Sequence, residues 1–288
     1  MFARIRVAVA RSPVSSYFVL AFTLTWSLGF LLIANYHGLV NIPPALHYLG
    51  AFGPALAAIT VAYLSGGWKG LARLLSTVGK WRVGWKWLLL GALSPLALAV
   101  AAVLVNFLVA NTGGATLIPD LSALSRIEYL GDIGAGAALL LWLVTFGFGE
   151  ELGWRGFALR TMQERGRSWL WAALSIGVLW ALWHLPAFFY KPQLIALGPG
   201  GFIGFGIGVI CGSVLLAWLY NGSGGSVLVV ALWHALFDFI TTAGGGQGAI
   251  PAIISTAVMV WAGVLITAEL AGGYRVRRDS RHQRATGI

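Results

Sequence analysis

Charge, acidic residues and cysteine are all scarce in this chain. Of its 288 residues 10% are charged and 58% hydrophobic, with a mean hydropathy of +0.82. A soluble domain carries about 25% charged residues, so a soluble globular protein is excluded. The single cysteine, Cys211, rules out an intrachain disulfide and a thiolate metal cluster, and it sits in an apolar run with no polar neighbour to activate it. There is no Gly-x-Ser-x-Gly elbow, no His-Glu-x-x-His helix and no internal repeat of the kind found in transporters. Acidic residues number 9 against 19 Lys and Arg, a formal net charge of +10. The basic residues gather at the ends of apolar runs, not on a face with interleaved aromatics, so nucleic acid is not an expected partner. The expected partners are the lipid bilayer and a peptide or protein substrate.

What the chain has is apolar length. A helical span needs about 20 apolar residues, and eight such stretches can be marked. They run from about Ser16 to Ala34, Ala45 to Leu64, Trp87 to Ala110, Gly134 onward, Trp169 to Phe189, Gly201 to Tyr220, Ser226 to Thr242 and Ile250 to Leu270. The expected fold class is an all-α integral membrane protein, a bundle of about eight transmembrane helices. Residues 1–271 form one transmembrane domain with a motif core at about 134–239, and 272–288 form a basic cytoplasmic tail. Met1 to Arg11 followed by an apolar run has the look of a signal peptide, but the run is long and no small-residue cleavage site closes it, so it is read as an uncleaved first span.

Seventeen of the 19 Lys and Arg residues fall in four regions: the N-terminus, Lys69 to Lys86, Arg155 to Arg167 and the tail. Eight spans with both termini cytoplasmic put all four on one side, as the positive-inside rule requires. The expected location is a bacterial cell membrane, crossed several times. Trp68, Trp81 and Trp85 among the basic residues mark an interfacial stretch, with a short helix along the membrane surface. The turn Asn221 to Gly225 should lie on the same side yet carries no charge.

The stretch that organises the chain is Phe148-Gly149-Glu150-Glu151-Leu152-Gly153-Trp154-Arg155-Gly156, which continues an apolar run without a polar linker. Ionisable groups inside a membrane are costly, so such a pair of carboxylates is a functional-site hypothesis by default. Residues four apart share a helix face, which pairs Glu151 with Arg155 and leaves Glu150 with no expected partner in its own helix. One carboxylate is thereby assigned to structure and one to chemistry. His184 and His234 each follow a Trp inside an apolar span, and His234 shares a face with Asp238. His37, His47 and His282 lie at loops or in the tail and are read as ordinary solvated or interfacial residues. Trp154, Trp180, Trp183 and Trp233 are read as packing.

A carboxylate beside an imidazole in a poorly solvated cavity can activate water, the carboxylate acting as general base. A second His with an acidic residue one turn away can donate to the oxyanion of a tetrahedral intermediate. Together these steps hydrolyse an amide. Two His and a Glu also match a His₂Glu zinc set, so a divalent metal such as zinc, held by Glu150, His184 and His234, competes with metal-independent activation, which is favoured: no cofactor is required.

Glu150-Glu151-x-x-x-Arg155, an aromatic Trp180 four residues before His184, and His234-x-x-x-Asp238, in that order on spans four, five and seven, resemble the CPBP family. That family includes type II CAAX prenyl endopeptidases and bacterial Abi or bacteriocin-immunity proteins. The resemblance implies an intramembrane endopeptidase, of the glutamate or the metallo type, acting on a membrane-associated substrate, with CAAX-type prenylated proteins among the candidates. It implies that Glu150 and His184 activate water, that His234 and Asp238 form the oxyanion site, that Glu151 belongs to the catalytic set, and that Arg155 and Trp180 support it. Trp180 stands where Phe is usual, a change of supporting aromatic. Asp238 stands where the eukaryotic prenyl proteases carry Asn, so it must be protonated, orient His234 or bind a metal. The alternative is a non-catalytic immunity or binding protein, or a proton-coupled transporter, using the same buried cluster.

Overall fold

The computed structural model describes residues 2–110, 124–242 and 249–272. The expected basic tail and part of the loop before Asp132 lie outside them. The described chain is an all-α bundle of an integral membrane protein, with one two-residue antiparallel pair, β1 (Arg126–Ile127) and β2 (Gly131–Asp132), as its only strands. Among the described residues seven helices are long and apolar enough to cross a membrane, and an eighth, Val227–Thr242, is apolar but shorter. The expectation of about eight spans is met on that count.

Helix α1 (Phe2–Arg11) leads into α2 (Pro13–Tyr36), whose first turn carries Pro13, where the missing N–H is no loss. Span two begins with the short α3 (His47–Gly50) and continues as α4 (Gly53–Leu75). Gly67, at φ +61°, breaks α4, so the basic segment after it leaves the span as the separate surface helix the sequence anticipates. Helix α5 (Trp85–Ala110) forms span three.

Span four is unbroken from Ala135 to Glu164, but it is not α-helical throughout. Helix α6 (Ala135–Trp142) and α7 (Arg160–Glu164) flank two π-helical segments, Leu143–Glu150 and Leu152–Leu159. The glutamate motif lies across their junction. π-Helical turns concentrate at functional sites because the wider coil displaces side chains from the α-helical register. Small residues let neighbouring backbones close on this span. A Cβ at Gly147 would stand 2.9 Å from the Ala231 carbonyl, and one at Gly153 would stand 2.5 Å from Tyr17 Oη and 2.6 Å from Pro54 Cβ.

The remaining spans are α8 (Trp169–Trp183), capped by Ser168 Oγ accepting from the Trp171 N–H, then α10 (Gly198–Gly222), α11 (Val227–Thr242) and α12 (Ala249–Leu270); the short α9 (Pro192–Ile195) precedes α10. The uncharged turn before α11 is explained by its cover. The Val227 N–H donates to the Thr77 carbonyl at 3.0 Å, Ser226 Oγ to the Lys80 carbonyl at 2.7 Å, and Lys80 Nζ to the Gly224 carbonyl. The basic loop between α4 and α5 thus sits over the turn and supplies the missing cation.

Candidate active site

Glu150 and Glu151 occupy neighbouring positions of span four and are respectively 1% and 0% exposed. Their surroundings differ. Arg155 Nη1 donates to Glu151 Oε1 at 2.6 Å, the expected pair one turn apart, with Arg155 itself 1% exposed. The same Oε1 also receives His234 Nδ1, from α11, at 2.9 Å. An ionised carboxylate only accepts, so Nδ1 carries the proton, and Glu151 sets both the tautomer and the tilt of the ring. Glu151 is therefore more than a lock within its own helix, because it also ties span four to span seven.

The partners of Glu150 correct the sequence reading. Trp154 Nε1, four residues on, donates to Glu150 Oε2 at 3.2 Å, and Trp180 Nε1, from α8, donates to the same oxygen at 2.7 Å. Glu150 has a partner in its own helix after all, and two of the four tryptophans read as packing are hydrogen-bond donors to it. Trp180 does more than support. Its ring lies under the Arg155 guanidinium at 4.6 Å, a cation–π contact, and edge-on to His234 at 5.2 Å between centroids.

His184 caps the end of α8, and its Nδ1 lies 2.8 Å from the Trp180 carbonyl. A carbonyl accepts only, so Nδ1–H donates and Nε2 is left with its lone pair. Phe205 of α10 packs edge-on to the ring at 5.0 Å. On α11, His234 Nε2 stands 3.3 Å from Asp238 Oδ2, the predicted contact one turn apart. His184 bonds the Trp180 carbonyl, and the Trp180 ring in turn donates to Glu150 and packs edge-on to His234. Side chains from spans four, five and seven thus converge on one locus, with Trp180 at its centre.

The hydrogen bond of Glu150 falls to Trp180, one turn before His184. Equal α-helical counts from Gly166 place Glu150 and His184 level, but a π-helix winds more residues into each turn and climbs less per residue, which draws Glu150 towards that turn. A second cluster lies outside the predicted set. His47, read as a loop residue, turns inward, where its Nδ1 lies 2.6 Å from Tyr190 Oη and its ring packs on Phe146 and Tyr48. Tyr48 Oη donates to the Glu128 carbonyl at 2.9 Å, and Lys191 pairs with Glu128 at 3.1 Å. No spacing within one segment signals contacts between residues so distant in sequence. The Glu150–Trp154 bond was visible in principle, at the same spacing that pairs Glu151 with Arg155.

The donor set does not fit a three-ligand zinc site. Both ring nitrogens of His234 face carboxylates, and Oε2 of Glu150 is taken by two indole N–H groups. Among the described residues no group of three or more His, Cys, Asp or Glu side chains is arranged to hold a metal ion.

Fold and site together define a polytopic membrane protein with an enclosed carboxylate and imidazole cluster. Residues 133–240, from just before span four into the last turn of α11, match the family model of the Rce1-like type II CAAX prenyl endopeptidases. The chain is also 27% identical over 131 residues to CAAX prenyl protease 2 of Methanococcus maripaludis, covering 42% of this chain and 47% of that protein. It spans about half the length of this curated relative. The matched residues 133–240 contain all three motifs, and the two likenesses support the resemblance to the CPBP family of peptidases.

Proposed function

We propose that the chain is an intramembrane endopeptidase that hydrolyses a peptide bond of a membrane-associated substrate with water activated by Glu150 and His184. The observation that carries this reading is the environment of Glu150, a carboxylate 1% exposed whose bonds are two neutral N–H donors on one oxygen. Those donors fix its plane and leave Oε1 to take a proton from water. Nε2 of His184, whose other nitrogen is bound to the Trp180 carbonyl, accepts the second hydrogen of that water and orients it.

Attack on the scissile carbonyl places negative charge on its oxygen. Nε2 of His234 shares a proton with Asp238 across 3.3 Å, a long contact that an oxyanion can replace. Glu151 holds the opposite side of the ring through Nδ1, so the imidazole keeps its aim as the proton turns from Asp238 to the oxyanion. In this scheme Asp238 is a proton-sharing orienter of His234. The proton taken by Glu150 then passes to the leaving amine.

The test is cleavage of a fluorogenic peptide by purified protein in nanodiscs. Glu150→Ala should abolish turnover while leaving melting behaviour and insertion intact, and chelation should leave the parent protein's turnover unchanged. Turnover by Glu150→Ala removes that residue from the mechanism. Loss on chelation, restored by added zinc, replaces the water-activation scheme with a metal one.

A further inference from the structure

The two faces of the bundle differ in charge, and the site opens towards only one of them. One face is defined by contacts among loops at the α7 end of span four. Arg73 pairs with Glu164 at 2.7 Å, Arg165 donates to the Ala10 and Arg11 carbonyls, and Lys80 reaches Gly224. The opposite face is defined by His47 with Tyr190, Tyr48 with the Glu128 carbonyl and Lys191 with Glu128. Of the 14 Lys and Arg among the described residues, 11 lie on the first face, Arg155 is in the buried cluster, and Arg126 and Lys191 alone are on the second. A bias of this size in short loops sets orientation, with the basic face in the cytoplasm.

Burial along the elements shows where the site opens. Towards the basic face it is sealed, because Arg155, Trp154, Phe157, Ala158 and Leu159 are all buried and the loop at Thr77 and Lys80 closes over the start of α11. Towards the other face the described residues are less tightly buried around the site itself, while Tyr48, Tyr190 and Phe239 stay buried on that side. His184 is half-buried at the end of α8, the Asp238 side chain is 19% exposed, and Phe189 is 54% exposed. The groups that would meet the substrate are thus the ones nearest the sparsely charged face. Phe188, Phe202 and Phe205 stack edge to face beside His184 and give that side an apolar wall.

We infer that the substrate is a peptide segment presented from the extracytoplasmic side of the membrane, with an apolar side chain against the phenylalanine wall. This rests on the peptidase reading for the chemistry, but the direction of entry stands on burial and charge alone. A prenylated protein delivered from the cytoplasm would meet the sealed end.

The test uses the full chain with Cys211 replaced by Ala and one cysteine introduced at a time. Leu197→Cys stands on the mouth face and Trp81→Cys on the basic face, and both parent side chains are exposed. In right-side-out membrane vesicles a membrane-impermeant sulfonated maleimide should label Leu197→Cys fully and label Trp81→Cys only after lysis. Asp238→Cys should react with a small charged methanethiosulfonate added outside such vesicles and not with the same reagent added to inside-out vesicles. Labelling of Trp81→Cys from outside, or reaction of Asp238→Cys from the cytoplasmic side only or from neither side, overturns the inference. No cleavage is read in this experiment, so failure of the peptidase reading would show separately, as an inactive protein with the expected labelling pattern.

Discussion

Replacing Trp180 by Phe removes one N–H from Glu150 and leaves an aromatic ring under Arg155. The lost bond is 2.7 Å long, made to a carboxylate 1% exposed. A hydrogen bond to a charged group contributes about 1.5–3 kcal/mol. If that interaction holds the base in its reactive orientation, turnover falls by about ten- to a hundredfold. The indole does not face the substrate in this scheme, so kcat should carry the loss and KM should stay near its parent value. Trp154→Phe removes the weaker donor, at 3.2 Å, and should cost less. The assay is steady-state cleavage in nanodiscs, with thermal unfolding of each variant as the check on folding. Because Phe is usual at this position in the family the chain resembles, the expected outcome is a reduced rate and not abolition. Unchanged kcat in a folded Trp180→Phe protein would refute the role given to the indole, and a larger effect from Trp154→Phe would refute the ranking by distance.

Arg155→Met leaves Glu151 buried without its cation, and breaking a buried pair in this way costs about 3–5 kcal/mol, read as a lowered melting temperature. Adding Glu151→Leu should restore much of that stability but no activity, because His234 has then lost the acceptor on Nδ1. Gly153→Ala drives a Cβ to 2.5 Å from Tyr17 Oη and 2.6 Å from Pro54 Cβ. It should destabilise by about 1–3 kcal/mol, as overpacking does, whereas Gly263→Ala, with nothing within 4 Å of the added atom, should leave melting unchanged or slightly raised.

Helix count, helix order and the identity of the polar residues were legible in the sequence because they rest on composition and on residues four apart within one segment. Glu151 with Arg155, and His234 with Asp238, followed from that spacing alone. Contacts between segments were not legible. Nothing local says that Trp180 reaches Glu150, that Glu151 reaches His234 or that His47 meets Tyr190, because these depend on how closely the helices approach and how they are rotated. The π-helical turns were hidden for a related reason. The segment 143–159 has no Pro to betray them, and its close approaches to Ala231 and Pro54, at Gly147 and Gly153, involve residues distant in sequence. The Asn221 turn was legible as an exception to the charge rule, but its solution, a cover from the Lys80 loop, lay 144 residues away in sequence.

The two adjacent glutamates show how one sequence motif yields two chemically different carboxylates. Glu151 is held by a guanidinium and an imidazole, so its charge is compensated and its lone pairs are spent on cross-links between spans. Glu150 receives only indole N–H groups, which carry no formal charge and cannot neutralise it. A base that opens water must be fixed in direction yet still able to take a proton, and a direct salt bridge to its reactive oxygen would oppose the second requirement. Neutral donors on one oxygen satisfy both, while the cation is diverted to the neighbouring residue and held over the same Trp180 ring at 4.6 Å. Residues four apart share a helix face, so Trp154 returns to Glu150 and Arg155 to Glu151. The cost of burying two acids side by side is thereby offset on Glu151, and in the proposed scheme reactivity is left to Glu150.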